Sequence, residues 1–320
     1  MTTVADGLFQ YGGQPVGGSL SLQKLFSTPN GIEHKGRAWF VDASSGSNGD
    51  GTSPQRAFST MQKAFNAIAS GDIIYFVGKV TEQLVTPVQV FDVTVVGCGN
   101  RPRHADAVPA GGNWAASQWG PPASGAVSGQ ATVRVLQQGW RFVNILFTMQ
   151  GTTAAGVEVV RNAGADDAER DASHCEILGC KFAGAGIGIR SGVAGSFTEN
   201  TTNVLVEGNT FLSSTTAILQ TAGFGGLNWQ IKNNDFITCT NDITGPFTGT
   251  KIFGNRMSLA PTACIVLTGG GTNMVNGNYL AGTYAAGTLY AAGTSDNWNG
   301  NFTGSDAQTA SAGVSYAVPD

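Results

Sequence analysis

The sequence predicts an all-β fold, a parallel β-helix with an N-terminal capping α-helix and an extended N-terminal arm. Three observations carry that prediction. Of 320 residues, 46 are glycine and only 12% are Asp, Glu, Lys or Arg, about twice and about half the usual shares. A six-residue motif recurs six times in the second half of the chain. Each position of that motif keeps its own chemical character from copy to copy.

Composition narrows the function classes. Hydrophobic residues make up 41% of the chain, too many for a disordered, charge-solvated polymer. Glycine follows no three-residue period, which excludes collagen. A formal net charge of −4 with no basic stripe argues against a nucleic-acid partner. No apolar run approaches the roughly 18 residues that a membrane span needs. Five cysteines, an odd number at irregular spacing, read as buried thiols rather than a disulfide framework. Cys175 and Cys180 have no second pair and no histidine cluster beside them, so no metal site is expected there. The segment 1–37 lacks a basic region followed by an apolar run, so no signal peptide is expected.

The elements follow in order. Residues 1–37 are mixed and glycine-rich and read as an arm. Trp39-Phe40-Val41 opens a strand, and Ser44 to Pro54 is a loop of turn-forming residues. A helix is expected over 54–70, with Ser53 as N-cap, Pro54 at its first position and Phe58, Met61, Phe65 and Ile68 on one face. Gly71 suits its C-terminal end. This helix would cover the open first coil, whose edge could otherwise pair with another chain. Short apolar strands follow at Ile73–Val77 and Val93–Val96. Residues 100–130, with Pro102, Pro109, Pro121 and Pro122, read as an insertion loop. Strands resume at Thr132–Val135 and Phe142–Phe147.

The repeat dominates what remains. Its copies begin at Ile177, Val206, Ile231, Ile252, Val275 and Trp298, and the fourth positions fall at 180, 209, 234, 255, 278 and 301. The first position is apolar and points inward. The third is Gly179, Gly208, Asn233, Gly254, Gly277 or Gly300, the residue types that tolerate a left-handed backbone. The fourth is Asn209, Asn234, Asn255, Asn278 or Asn301, with Cys180 the exception. The sixth is again apolar until Thr303. A strand, a one-residue bend, an asparagine and a second strand make one corner of a coil. Stacked coils put the asparagines in a ladder and the Phe rings in the interior. Leucine-rich repeats fail on leucine spacing, and propeller blades need about 40–50 residues. The domain therefore runs over 38–303, followed by a tail at 304–320.

The chemistry of a catalyst is harder to find. The sequence contains no GxSxG, HExxH, GxxxxGK[ST] or dinucleotide-binding motif. Its histidines are His34, His104 and His174, none with a neighbouring partner in the sequence. The acidic run Asp166, Asp167, Glu169 and Asp171 reads as a solvated loop, with a calcium or catalytic site the sharper alternative. Asn48, Asp50 and Thr52 resemble half a calcium loop without its downstream Glu. The repeat faces carry scattered charges, not the facing carboxylates of a glycoside hydrolase. Trp229 shares a strand side with Ile231 and is expected in the core. Trp114 and Trp119, in the insertion, are the aromatic candidates for a glycan or an interface. No catalytic residue, metal or cofactor is assigned.

Phe40-Val41-Asp42-Ala43-Ser44, Gly49 to Pro54, Ala57-Phe58-Ser59-Thr60 and Gly71 to Val77 together resemble the N-terminal module of pectate-lyase-like proteins. The likeness covers about 38–100, and the asparagine coils extend it to about 303. It implies a right-handed, single-stranded coil. That module occurs in lyases, hydrolases and non-catalytic virion proteins, so it is informative for fold and poor for function. With the glycine-rich arm and the low charge, the chain is similar to bacteriophage structural proteins. That resemblance implies a non-enzymatic capsid decoration (cement) protein, or alternatively a tail spike that binds or cleaves host polysaccharide. It further implies a homotrimer, the major capsid protein and possible host glycan as partners, and assembly into a virion in the bacterial cytoplasm.

Overall fold

The computed structural model describes residues 10–11, 14–15, 36–44, 48–99, 117–123, 129–161, 171–192, 201–221, 226–258, 262–281, 290–304 and 314–316. The chain winds as a right-handed parallel β-helix in which each coil visits three sheets in turn. Sheet I has ten strands, from Ala38–Asp42 to Asn297–Asn299. Sheet II has ten, beginning at Lys79–Thr81 and ending with Val314–Tyr316. Sheet III has eight, from Leu84–Val85 to Tyr290–Ala291.

The strands are short because each has one job. In a three-residue strand, alternation sends only the middle side chain inward. In sheet I these are Ile177, Val206, Ile231, Ile252, Val275 and Trp298, stacked in parallel register. In sheet II they are Phe147, Phe182, Phe211 and Phe236, whose rings stack at 5.1, 5.0 and 5.0 Å. That spacing is close to the strand separation of about 4.8 Å, so the coil rise itself brings the rings face to face. Opposite them sheet III must be small. A Cβ on Gly188 would sit 2.7 Å from the Phe211 ring, and one on Gly156 would sit 2.8 Å from Phe182.

The helix differs from the expected span. Pro54–Arg56 form a single 3-10 turn, and the α-helix, α1, is only Met61–Ala67. Phe58 is not a helical residue. Its backbone bridges Val41, and its ring stacks on Trp39 at 5.8 Å. The N-cap is accordingly Thr60 rather than Ser53, with Lys63 N–H donating to Thr60 Oγ1 at 3.4 Å. The carboxylate of Glu82 takes the next two orphan N–H groups, from Met61 and Gln62, at 2.9 Å each, where the helix end favours negative charge. Met61 and Phe65 plug the first coils, Phe65 lying 5.4 Å from Trp140 and 6.0 Å from Trp119.

Two other expectations are corrected. The segment 100–130 is not wholly a loop: Gln118–Gly120 is a strand of sheet II, placed between Val80 and Phe147. The tail 304–320 is not wholly separate either, since Val314–Tyr316 pairs antiparallel with Asn301–Thr303. Of the arm at 1–37, the described part before Gly36 is a short antiparallel pair, Gln10–Tyr11 with Gln14–Pro15; its other residues up to 35 lie outside the described residues.

Candidate functional site

The residues singled out by the repeat form the frame of the molecule. Asn209 Nδ2 donates to Asn234 Oδ1 at 3.0 Å, Asn234 to Asn255 at 3.0 Å, Asn255 to Asn278 at 2.9 Å and Asn278 to Asn301 at 2.9 Å. Each Nδ2 also donates to a sheet I carbonyl of the preceding coil, from Ile177 under Asn209 to Val275 under Asn301. Each Oδ1 accepts a backbone N–H from the preceding coil as well, beginning with Cys180 N–H to Asn209 at 2.8 Å. All five asparagines are buried, and the amide groups are satisfied, as a buried polar column requires. The bends before them hold φ of +59° at Gly179, +67° at Gly208, +56° at Asn233, +64° at Gly254, +62° at Gly277 and +61° at Gly300.

A second polar column lies at the corner leading into sheet I. Thr250 N–H donates to Asn273 Oδ1 at 3.0 Å, and Asn273 N–H and Nδ2 both donate to Asp296 Oδ1 at 2.9 Å. Gly293 N–H donates to the other Asp296 oxygen at 2.6 Å. The signal was present two residues before each motif's first apolar position, where earlier coils carry Trp140, Cys175, Val204 and Trp229. Because the column changes from apolar to polar along the chain, no repeated character marks it in the sequence.

The outer face of sheet III carries a charged clamp. Glu158, fully buried, sits in register between Arg134 and Arg190. Arg134 Nε donates to it at 2.6 Å and Arg190 Nε at 2.8 Å. Arg190 spends its remaining arms on the carbonyls of Thr153 and Gly129, both at 3.0 Å. The group is thus a tether for two turns, with its carboxylate enclosed by donors and closed to a substrate.

Several other described carboxylates are spent in the same way. Asp72 accepts from Arg37 N–H, Trp39 Nε1 and Ala69 N–H at 2.6–2.8 Å. Glu176 pairs with Arg141 and Glu207 with Lys232. Asp50 takes the Thr52 hydroxyl at 2.7 Å and backbone N–H at 3.2 Å, and lies beside Arg56. The Thr52 hydrogen bonds, then Arg56, hold its carboxyl below the usual range. Burial pushes the thiols of Cys98, Cys180 and Cys239 up to about 12 and that of Cys175 upward too, so these sulfurs stay neutral and inert. Among the described residues no cluster of His, Cys, Asp and Glu could hold a metal, and no helix is long and apolar enough to cross a membrane.

The tryptophan candidates part company. Trp119 is not on the surface: it is fully buried, stacked on Phe147 at 6.0 Å, and its Nε1 donates to the Glu82 carbonyl at 2.9 Å. The indole is too large to leave in water when a coil interior can take it. Trp114 lies outside the described residues, as do 166–170 of the acidic run; Asp171 faces Arg161 at 3.7 Å. Trp229 is buried, as its strand side requires. Among the described residues the exposed aromatics are instead Tyr279 and Phe302, 53% and 44% exposed and paired in register on sheet II. They occupy the fifth position of the motif, where earlier copies carry Lys181, Thr210, Asp235 and Arg256. A column of such mixed character gave no sequence signal.

No family model and no curated protein matches the sequence. Solved structures similar to the chain include a pectate lyase, with 15% identity, a TM-score of 0.29, and 79% of this chain and 64% of that one covered. The product of open reading frame 18 of Geobacillus virus E2 has 16% identity, a TM-score of 0.37, and 83% and 61% covered. A PL6 family alginate lyase has 10% identity, a TM-score of 0.39, and 85% and 40% covered. The chain thus spans less than two thirds of each of these structures.

Proposed function

We propose that the protein is a non-enzymatic structural component of a bacteriophage virion, assembled in the host cytoplasm, and that it decorates the capsid as a homotrimer bound to the major capsid protein. The observation that carries the non-enzymatic part is the fate of the acids. Glycoside hydrolysis by the usual two-carboxylate route needs a carboxylic acid and a carboxylate free to meet the scissile bond. Here Asp72, Glu82, Glu158, Glu176, Glu207 and Asp296 are each held by hydrogen bonds or ion pairs that tie coils, caps or turns together. Such a scaffold suits a rigid module whose task is to persist. The resemblance of the N-terminal module and the low charge to phage structural proteins supports the virion setting. Quantitative mass spectrometry of purified virions tests it: copies in the hundreds per particle are expected. Absence from the particle, or a handful of copies, overturns the capsid reading.

A second reading, an appendage that binds host surface polysaccharide, is favoured by Tyr279 and Phe302. Aromatic rings exposed on adjacent strands of a flat face can stack on sugar rings through their apolar faces. Binding of purified protein to host glycan, lost in Tyr279→Ala/Phe302→Ala, would favour this reading. Release of reducing ends would add cleavage to it.

A further inference from the structure

Among the described residues, one buried acid lacks the hydrogen bonds or ion pairs that hold Asp72 and Glu158. Asp242 lies in sheet III, one residue before Ile243 and fully buried. By the register of its strand it sits between Ala217 of the coil before and Cys264 of the coil after, both of them fully buried in the core. Neither of its carboxyl oxygens has a hydrogen-bond partner of good geometry. Compare Glu158, which receives two guanidinium groups in the same sheet. The ionisable side chains acting on Asp242 are the thiols of Cys264, which leans toward it, and Cys239, in the turn just before. Among the described residues no cation acts on it.

The packing explains how the site came to exist. In the preceding coils this column reads Gly156, Gly188, Ala217, and a Phe ring faces each of the two glycines from sheet II. The same offset sets Asp242 against Met257, where the Phe column has ended. A thinner, flexible neighbour leaves room for a larger side chain. The weak Cys264 thiol is the donor acting on it there, and a carboxylate so poorly partnered in an apolar interior costs far more than its neutral form.

We propose that Asp242 is carried as a neutral carboxylic acid within the coil and acts as a pH-sensitive latch, so that the C-terminal coils loosen as alkali removes its proton. Burial raises its affinity for the proton well above the ordinary carboxylate range, against the weaker pull of the Cys264 thiol. The sign follows. A group that binds its proton more tightly when folded stabilises fully below its unfolded value of 3.8. That contribution is lost as pH rises toward the folded value, because unfolding then takes up no proton from the acid but releases one. Over this window the unfolding constant grows about tenfold per pH unit from this group alone.

The experiment compares urea unfolding of the full chain and of Asp242→Asn at pH 5, 6, 7 and 8. The substitution preserves shape and removes the titration. Every other residue is common to the two proteins, so the difference isolates Asp242. The expected result is a variant-to-native stability ratio that increases about tenfold per unit from pH 5 upward until the native group ionises. Parallel pH profiles overturn the proposal. Should the variant fail to fold, isotope-edited infrared spectroscopy of the native protein decides. With labelled aspartate, a protonated-carboxyl band persisting at a pH where exposed aspartates have ionised is expected, and its absence overturns the proposal.

Discussion

The first and last coils fill the same two corners with opposite chemistry. At the corner leading into sheet I, Trp140, Cys175 and Val204 give way to Thr250, Asn273 and Asp296. At the corner leading into sheet II, Ser117, Ile145 and Cys180 give way to the asparagine ladder that runs from Asn209 to Asn301. The coil lengths change with it. Between stacked residues of sheet I the chain runs 47, 35 and 29 residues from Val95 through Phe142 and Ile177 to Val206, then 25, 21, 23 and 23 to Trp298. Apolar burial has no direction, so an aromatic interior holds coils whose loops vary widely. A hydrogen-bond ladder demands distance and angle at every rung, so its coils must be nearly uniform.

Substitutions can break that contrast. The largest effect is expected for Trp119→Ala, which empties a space shared with Phe65, Phe76 and Phe147. A loss of about 3–5 kcal/mol is expected from urea melts. Asn255→Ala should come next, at about 2–4 kcal/mol, because it strands the Asn234 N–H and Nδ2 donors and the Ile231 carbonyl. Hydrogen exchange would sharpen the comparison: amides of 230–301 should lose protection in this variant while those of 73–147 keep theirs. Equal loss in both halves would mean that the two interiors unfold as one unit. Gly208→Ala should cost about 1–2 kcal/mol through its left-handed backbone alone, since the nearest atom to a new Cβ is 4.0 Å away. Tyr279→Ala should leave the melt within about 0.5 kcal/mol, its ring being half in water.

Legibility in the sequence followed the same divide. The ladder coils could be read because a left-handed bend accepts few residue types, and because a stacked amide column admits almost no substitute. The aromatic half hid its order. Trp119 lay among glycines and prolines that signal loop, and only the register with Val80 and Phe147 reveals it as core. Phe58 shared the helical spacing of Met61 and Phe65 but serves a strand bridge. The Arg134–Glu158–Arg190 clamp joins residues 24 and 32 positions apart, and unequal coil lengths conceal such a column. Tyr279 and Phe302 face solvent, where packing imposes no repeated character.

The ladder also has a direction. From Asn209 to Asn278 each side-chain amide gives one hydrogen forward to the next asparagine oxygen and one back to a carbonyl of the coil behind. One coil therefore meets its successor through the same contacts whichever coil that is. Removing 235–255 would bring Asn234 directly before Arg256, the residue that already lies in register with Asp235, and pass the hydrogen bond on to Asn278. The rod behaves like a ruler cut between graduations: it could be shortened or extended one coil at a time, about 4.8 Å per step, leaving both ends and their attachments unchanged.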